Sequence, residues 1–78
     1  MLRVFGVMKV KVKTRFGSRR DAIEKFGNDR YLAYLSFEDG EDSTFLLSGM
    51  LSKYLGVHPN KIAFVGKDSF QDWVFEVQ

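Results

Sequence analysis

The chain contains no cysteine among its 78 residues. No disulfide and no thiolate–metal site can staple it, so packing alone must hold it. The absence fits a reducing compartment, and a cytoplasmic location is expected. Long apolar runs are also missing. Nothing approaches the roughly 20 residues that a bilayer-crossing helix needs, so no membrane partner is expected. The stretch from Met1 to Met8 is too short for a secretory signal, and Arg3 and Gly6 interrupt it. Met8 opens a better strand than Met1, which makes it an alternative start. There are no repeats, linkers or low-complexity tracts, so residues 1–78 are read as one domain.

Catalytic constellations are equally scarce. The lone histidine, His58, stands beside the lone proline, Pro59, with no nucleophile nearby in sequence. A general base needs a positioned partner and a pocket. The serines lack an elbow motif. Gly66-Lys67-Asp68-Ser69 is too poor in glycine for a phosphate loop. Neither an enzyme nor a cofactor is expected. The acidic turn Glu38 to Asp42 lacks the spacing of a calcium loop, and no metal site is assigned to it.

What the chain does have is aromatic bulk: eight Phe, three Tyr and one Trp. A domain this short buries only about 60% of its unfolded surface, and each large ring contributes heavily to that burial. The apolar residues also fall into periods. Leu2, Val4, Met8, Val10 and Val12 alternate with Arg3, Phe5, Val7, Lys9, Lys11 and Lys13, which predicts a strand over 2–14 with one buried face. Gly6 marks a break or bulge. Residues 14–21 read as a loop. Strands are predicted over 22–26 and 31–37, joined as a hairpin by Gly27-Asn28-Asp29, where Gly and Asn tolerate positive φ.

Leu47, Met50, Leu51, Tyr54 and Leu55 then share one helical face. Asp42 or Ser43 is the expected N-cap, and Gly56 the expected left-handed stop, with Val57 as its apolar partner. Ile62 to Val65 is apolar throughout, as in a strand covered on both faces. Residues 66–69 turn the chain into a last strand over 73–77. The expected fold class is α+β, with one main helix packed on a four- to five-stranded mixed sheet in the order β-β-(β)-α-β-β. Its expected core is Val10, Val12, Leu35, Phe37, Leu47, Leu51, Ile62, Phe64 and Phe75.

Charge is sorted along the chain. Residues 1–30 hold nine basic and three acidic side chains, and residues 31–78 hold three basic and seven acidic. If the two halves stay apart in space, a net charge of only +2 hides a strongly basic surface. Lys9, Lys11 and Lys13 project from one strand face, Arg15, Arg19 and Arg20 continue into the loop, and Tyr34 is expected on the same face, as is Phe5. Clustered cations suit phosphate, and aromatic rings suit stacked bases. RNA or another polyanion is therefore the expected partner. The plainer reading is an edge strand carrying lysines against aggregation, a role that does not require the loop arginines.

A second candidate surface, for a protein partner, is the helix stripe Phe45, Ser48, Gly49 and Ser52, whose small residues permit close backbone approach. A sheet edge is the other place where such a partner would dock.

The order and spacing of several segments resemble the YggU-like family of small uncharacterised proteins. They are Lys9-Val10-Lys11-Val12-Lys13, Arg20-Asp21-Ala22-Ile23, Tyr31 to Ser36, Lys53-Tyr54-Leu55-Gly56-Val57, Ile62 to Gly66, and Ser69. The resemblance implies an α+β fold and no assigned activity. Departures fall on the family's signatures. Thr14 stands where the family has proline, with about two extra residues following. Gly40-Glu41-Asp42-Ser43-Thr44 replaces a Gly-Lys-Ala-Asn run. Phe70 and Asp72 replace the Arg and Lys of Gly-x-x-Ser-Arg-x-Lys. The resemblance therefore implies no site residue here. Val57-His58-Pro59 with Ile62 to Lys67 is also similar to the ubiquitin-like β-grasp family, but Val77-Gln78 stands where a Gly-Gly conjugation tail would be.

Overall fold

The computed structural model describes residues 7–78. Five strands and one α-helix follow in the order β1 (Met8–Phe16), β2 (Ala22–Gly27), β3 (Arg30–Leu35), α1 (Ser43–Leu55), β4 (Ile62–Lys67) and β5 (Trp73–Val77), with a short 3₁₀ turn at Pro59–Lys61. The architecture is α+β, one helix on a mixed sheet, as the periodicities predict. The sheet order is β2-β3-β1-β5-β4. β1 runs parallel to β3 and antiparallel to β5. The β2–β3 hairpin therefore folds back so that β3 slots between β1 and β2. Backbone N–H of Lys11 donates to the Asp29 carbonyl at 2.9 Å and ties the hairpin turn to β1. In that turn the positive φ falls on Asp29 (57°), not on Gly27 or Asn28; aspartate is among the few side chains that tolerate it.

β1 is longer at its C-terminal end than the sequence predicts. Arg15 and Phe16 continue the ladder opposite Tyr34 and Leu35, because Phe16 has ring partners to reach: Phe37 at 6.0 Å and Trp73 at 6.2 Å. The expected strand residues 2–6, with Phe5 and the Gly6 break, lie outside the described residues. β1 is also central, and from Lys11 onward it pairs with β3 on one side and, as far as Val12, with β5 on the other, so Lys11 and Lys13 protect no sheet edge.

Between sheet and helix lie Val10, Val12, Tyr31, Ala33, Leu35, Leu47, Leu51, Ile62, Trp73, Phe75 and Val77, all buried. Phe37 packs against them only partly buried. Phe64 is not in the core: it is 38% exposed. The reason is its strand. β4 is a sheet edge, not a strand covered on both faces, and Ala63, Phe64 and Val65 are exposed along it. A register shift between Phe64 and Gly66 bends that edge, a common way of spoiling a template for further pairing. Phe64 still packs at a tilt against both Trp73 and Phe75, with ring centroids 5.3 Å apart in each pair.

The helix ends as predicted. Gly56 sits at φ 71°, and the N–H groups of Gly56 and Val57 both donate to the Ser52 carbonyl, a Schellman-type close. Its start differs. Asp42 makes no side-chain cap, and the first turn carries no acid. Instead the buried Ser43 hydroxyl accepts from Gly40 N–H and donates to Asp39 Oδ1, both at 2.8 Å.

Candidate nucleic-acid interface

One face of the sheet carries the helix. The other carries the cations. Alternation on β1 turns Lys9, Lys11, Lys13 and Arg15 away from the core. The ladder sets Arg15 opposite Tyr34 on β3, and Ala22 of β2 opposite Tyr34 on its far side. Tyr34 thus shares the open face with the basic row.

The arginine loop after β1 is fixed rather than free. Gly17 N–H donates to the Phe37 carbonyl (3.1 Å) and Ser18 N–H to the Leu35 carbonyl (2.8 Å). Ser18 Oγ donates to the Arg15 carbonyl (2.9 Å), and Ser36 N–H donates to Asp21 Oδ1 (2.6 Å). Gly17 turns the chain at φ 71°. These bonds hold Arg19 and Arg20 over the end of β3. Ser18, Arg19, Arg20, Ala22, Glu24 and Tyr34 line an open depression of about 290 Å³. A second depression, about 330 Å³, is lined by Lys13, Thr14, Arg15, Leu32 and the β4–β5 loop residues Phe70, Gln71 and Asp72. Arg15 and Tyr34, paired in the ladder, link the two.

The charge segregation along the sequence is undone in space. The β4–β5 loop brings two acids from the acidic half onto the lysine row. Lys11 Nζ lies 3.4 Å from Asp68 Oδ2, and Lys13 Nζ lies 3.2 Å from Asp72 Oδ1. Glu76 stands opposite Lys9 in the ladder. Asp68 is the more constrained acid. Burial works against its charge, yet the N–H groups of Asp72 and Phe70 and the Lys11 ammonium together hold its carboxyl below the ordinary 3.8. Among the described residues, Lys9, Arg15, Arg19 and Arg20 take part in no ion pair.

Sequence reasoning passed over Phe70, which is 72% exposed at the rim of the second depression. Its signal was faint: an aromatic inside a short polar turn. The turn earns its shape from Asp68, whose Oδ1 accepts from the N–H groups of Phe70 and Asp72, and from Gln71 at φ 66°. That geometry leaves the Phe70 ring in solvent.

The helix stripe behaves differently from its prediction. Phe45 is 79% exposed, but Ser52 is buried, its hydroxyl donating to the Val57 carbonyl at 2.6 Å. Ser52 therefore closes the helix end and offers nothing to a partner. Phe45, Ser48 and Gly49 instead line a groove of about 390 Å³ with Pro59, Asn60 and Ile62. His58 is exposed, and its Nδ1 accepts from Asn60 N–H at 3.3 Å to cap the 3₁₀ turn.

Among the described residues, no three His, Asp or Glu side chains converge where a metal could sit, and no helix is long and apolar enough to cross a membrane. Comparison with family models, with curated proteins and with solved structures returns no match.

Proposed function

We propose that this protein is a non-catalytic binding module for single-stranded RNA, bound across the open sheet face. The observation that carries this reading is the placement of Tyr34. Tyr34 pairs with Arg15 in the ladder and lines a depression with Arg19 and Arg20, which take part in no ion pair among the described residues. Phe70 adds an exposed ring at the neighbouring depression, beside the half-buried ring of Tyr34. A bare polyanion needs cations alone; alternating rings and cations suit a strand whose bases stack while its phosphates are neutralised. Among the described residues, Arg15, Arg19 and Arg20, and Lys9 farther along the open face, take part in no ion pair, whereas Lys11 and Lys13 are already partnered.

A backbone amide NMR titration with a short mixed-sequence single-stranded RNA tests this. Shifts are expected at 15–24, at Tyr34 and at 68–72. The Arg19→Glu/Arg20→Glu double variant should abolish them. A flat titration of the native chain overturns the reading.

The groove between helix and β4 supports a second reading, a protein-interaction module. Its motivating observation is Phe45, exposed beside Gly49, where an added Cβ would meet nothing within 4 Å. Gly49→Leu projects a bulky side chain into that groove from a Cβ that meets no neighbour. The substitution should disrupt a protein contact made there and leave RNA binding intact.

A further inference from the structure

Glu24 is the one acid in the Tyr34 depression. A site for phosphate alone gains nothing from a carboxylate there, since it repels the ligand. Its position relates it to the ring. Ala22 lies directly opposite Tyr34 in the β2–β3 ladder, and Glu24 lies opposite Leu32, one step along on the same face. Ala22 puts only a methyl opposite Tyr34, which is half-buried and lines the depression. Glu24 sits at the diagonal position, where cross-strand neighbours are about 7–8 Å apart and a long side chain reaches the ring's perimeter. A base stacked on Tyr34 would thus present its hydrogen-bonding edge towards Glu24, with Arg19 and Arg20 on the same depression for its phosphate.

A carboxylate only accepts hydrogen bonds. It pairs best with a base edge that offers two adjacent donors. Guanine does so through its ring N–H and exocyclic amino group. Uracil offers one ring N–H flanked by carbonyl oxygens, which repel a carboxylate. Adenine and cytosine offer one amino group beside an acceptor nitrogen. Resting on the RNA reading above, we infer that the Tyr34–Glu24 depression is a guanine-selective subsite. Tyr34 stacks the base, Glu24 accepts from its two donors, and Arg19 and Arg20 take the attached phosphate.

U-rich pentanucleotides that differ only in the central base provide the test, titrated against the full chain by amide NMR. The central-guanine pentamer is expected to bind about fivefold or more tightly than the other three, the lower end of what one bidentate base contact supplies. Glu24→Gln should collapse that preference while leaving binding of the all-uracil pentamer intact or slightly tighter, because a negative charge has gone. A merely structural role for Glu24 would shift all four affinities together. Equal affinities for the four pentamers in the native chain overturn the guanine subsite and leave the RNA reading standing. No binding of any pentamer overturns both.

Discussion

Leu51 reaches the core from the middle of the helix and is fully buried, as is Leu47 one turn earlier. Truncating Leu51 to Ala should cost about 2–5 kcal/mol. In a domain this small that is much of the total stability, and chemical denaturation will show it. Residues of this kind were readable in advance, because helical spacing alone put them on one face. Phe64 was not. Its neighbours are as apolar as a buried strand's, and only its place at the sheet edge exposes it.

Asp68 makes a different prediction, one of pH. Its folded carboxyl titrates below its unfolded value of 3.8. A depressed acid stabilises the fold fully above the unfolded value and loses that contribution as pH falls through the folded one. Asp68→Asn should therefore lower the thermal midpoint at neutral pH. The gap from the native chain should close as pH drops below about 4. A gap that persists into acid would contradict this placement of the carboxylate.

At the scale of elements, the helix C-terminus is the best-read feature. Gly56 takes the left-handed turn, and a Cβ there would touch nothing. Gly56→Ala should thus cost only the conformational penalty, about 1–2 kcal/mol, seen as a lower denaturation midpoint with unchanged cooperativity. Gly49 predicts the opposite sign. It lies mid-helix at ordinary helical φ with open space beside it. Gly49→Leu should raise stability by up to about 0.8 kcal/mol through helix propensity. The helix starts after Asp42, one of the two caps expected, but without the expected side-chain bond, while the Ser43 hydroxyl ties the preceding turn together through Gly40 and Asp39. The end of β1 was misread because Arg15 and Phe16 look like loop flanked by Gly17 and Ser18. Only the tertiary partners Phe37 and Trp73 show why the strand persists.

At the scale of the molecule, the layers were legible and the wiring was not. Period-two and period-3.6 patterns name strands and a helix, but neither says that β3 enters between β1 and β2 in parallel with β1. That wiring makes the lysine strand central, and so removes edge protection as its explanation. It also decides the candidate site. Tyr34 was foreseen on the open face from parity. Phe70 and Glu24 were not, because nothing local says that the β4–β5 loop and β2 flank the same rows.

The fold-back of the Asp68–Asp72 loop gives the molecule two fixed counterions of its own. A phosphate that engages Lys11 or Lys13 meets a lysine whose charge a tethered carboxylate already offsets, so it keeps most of its own condensed cations. Those two lysines will therefore contribute little to the salt dependence of binding. Each phosphate neutralised on a single strand ordinarily adds about 0.7 to the slope of log affinity against log salt. The native slope should therefore report only the unpaired cations. Asp68→Asn/Asp72→Asn frees both lysines, and should steepen the slope by up to about 1.4 while tightening binding most at low salt.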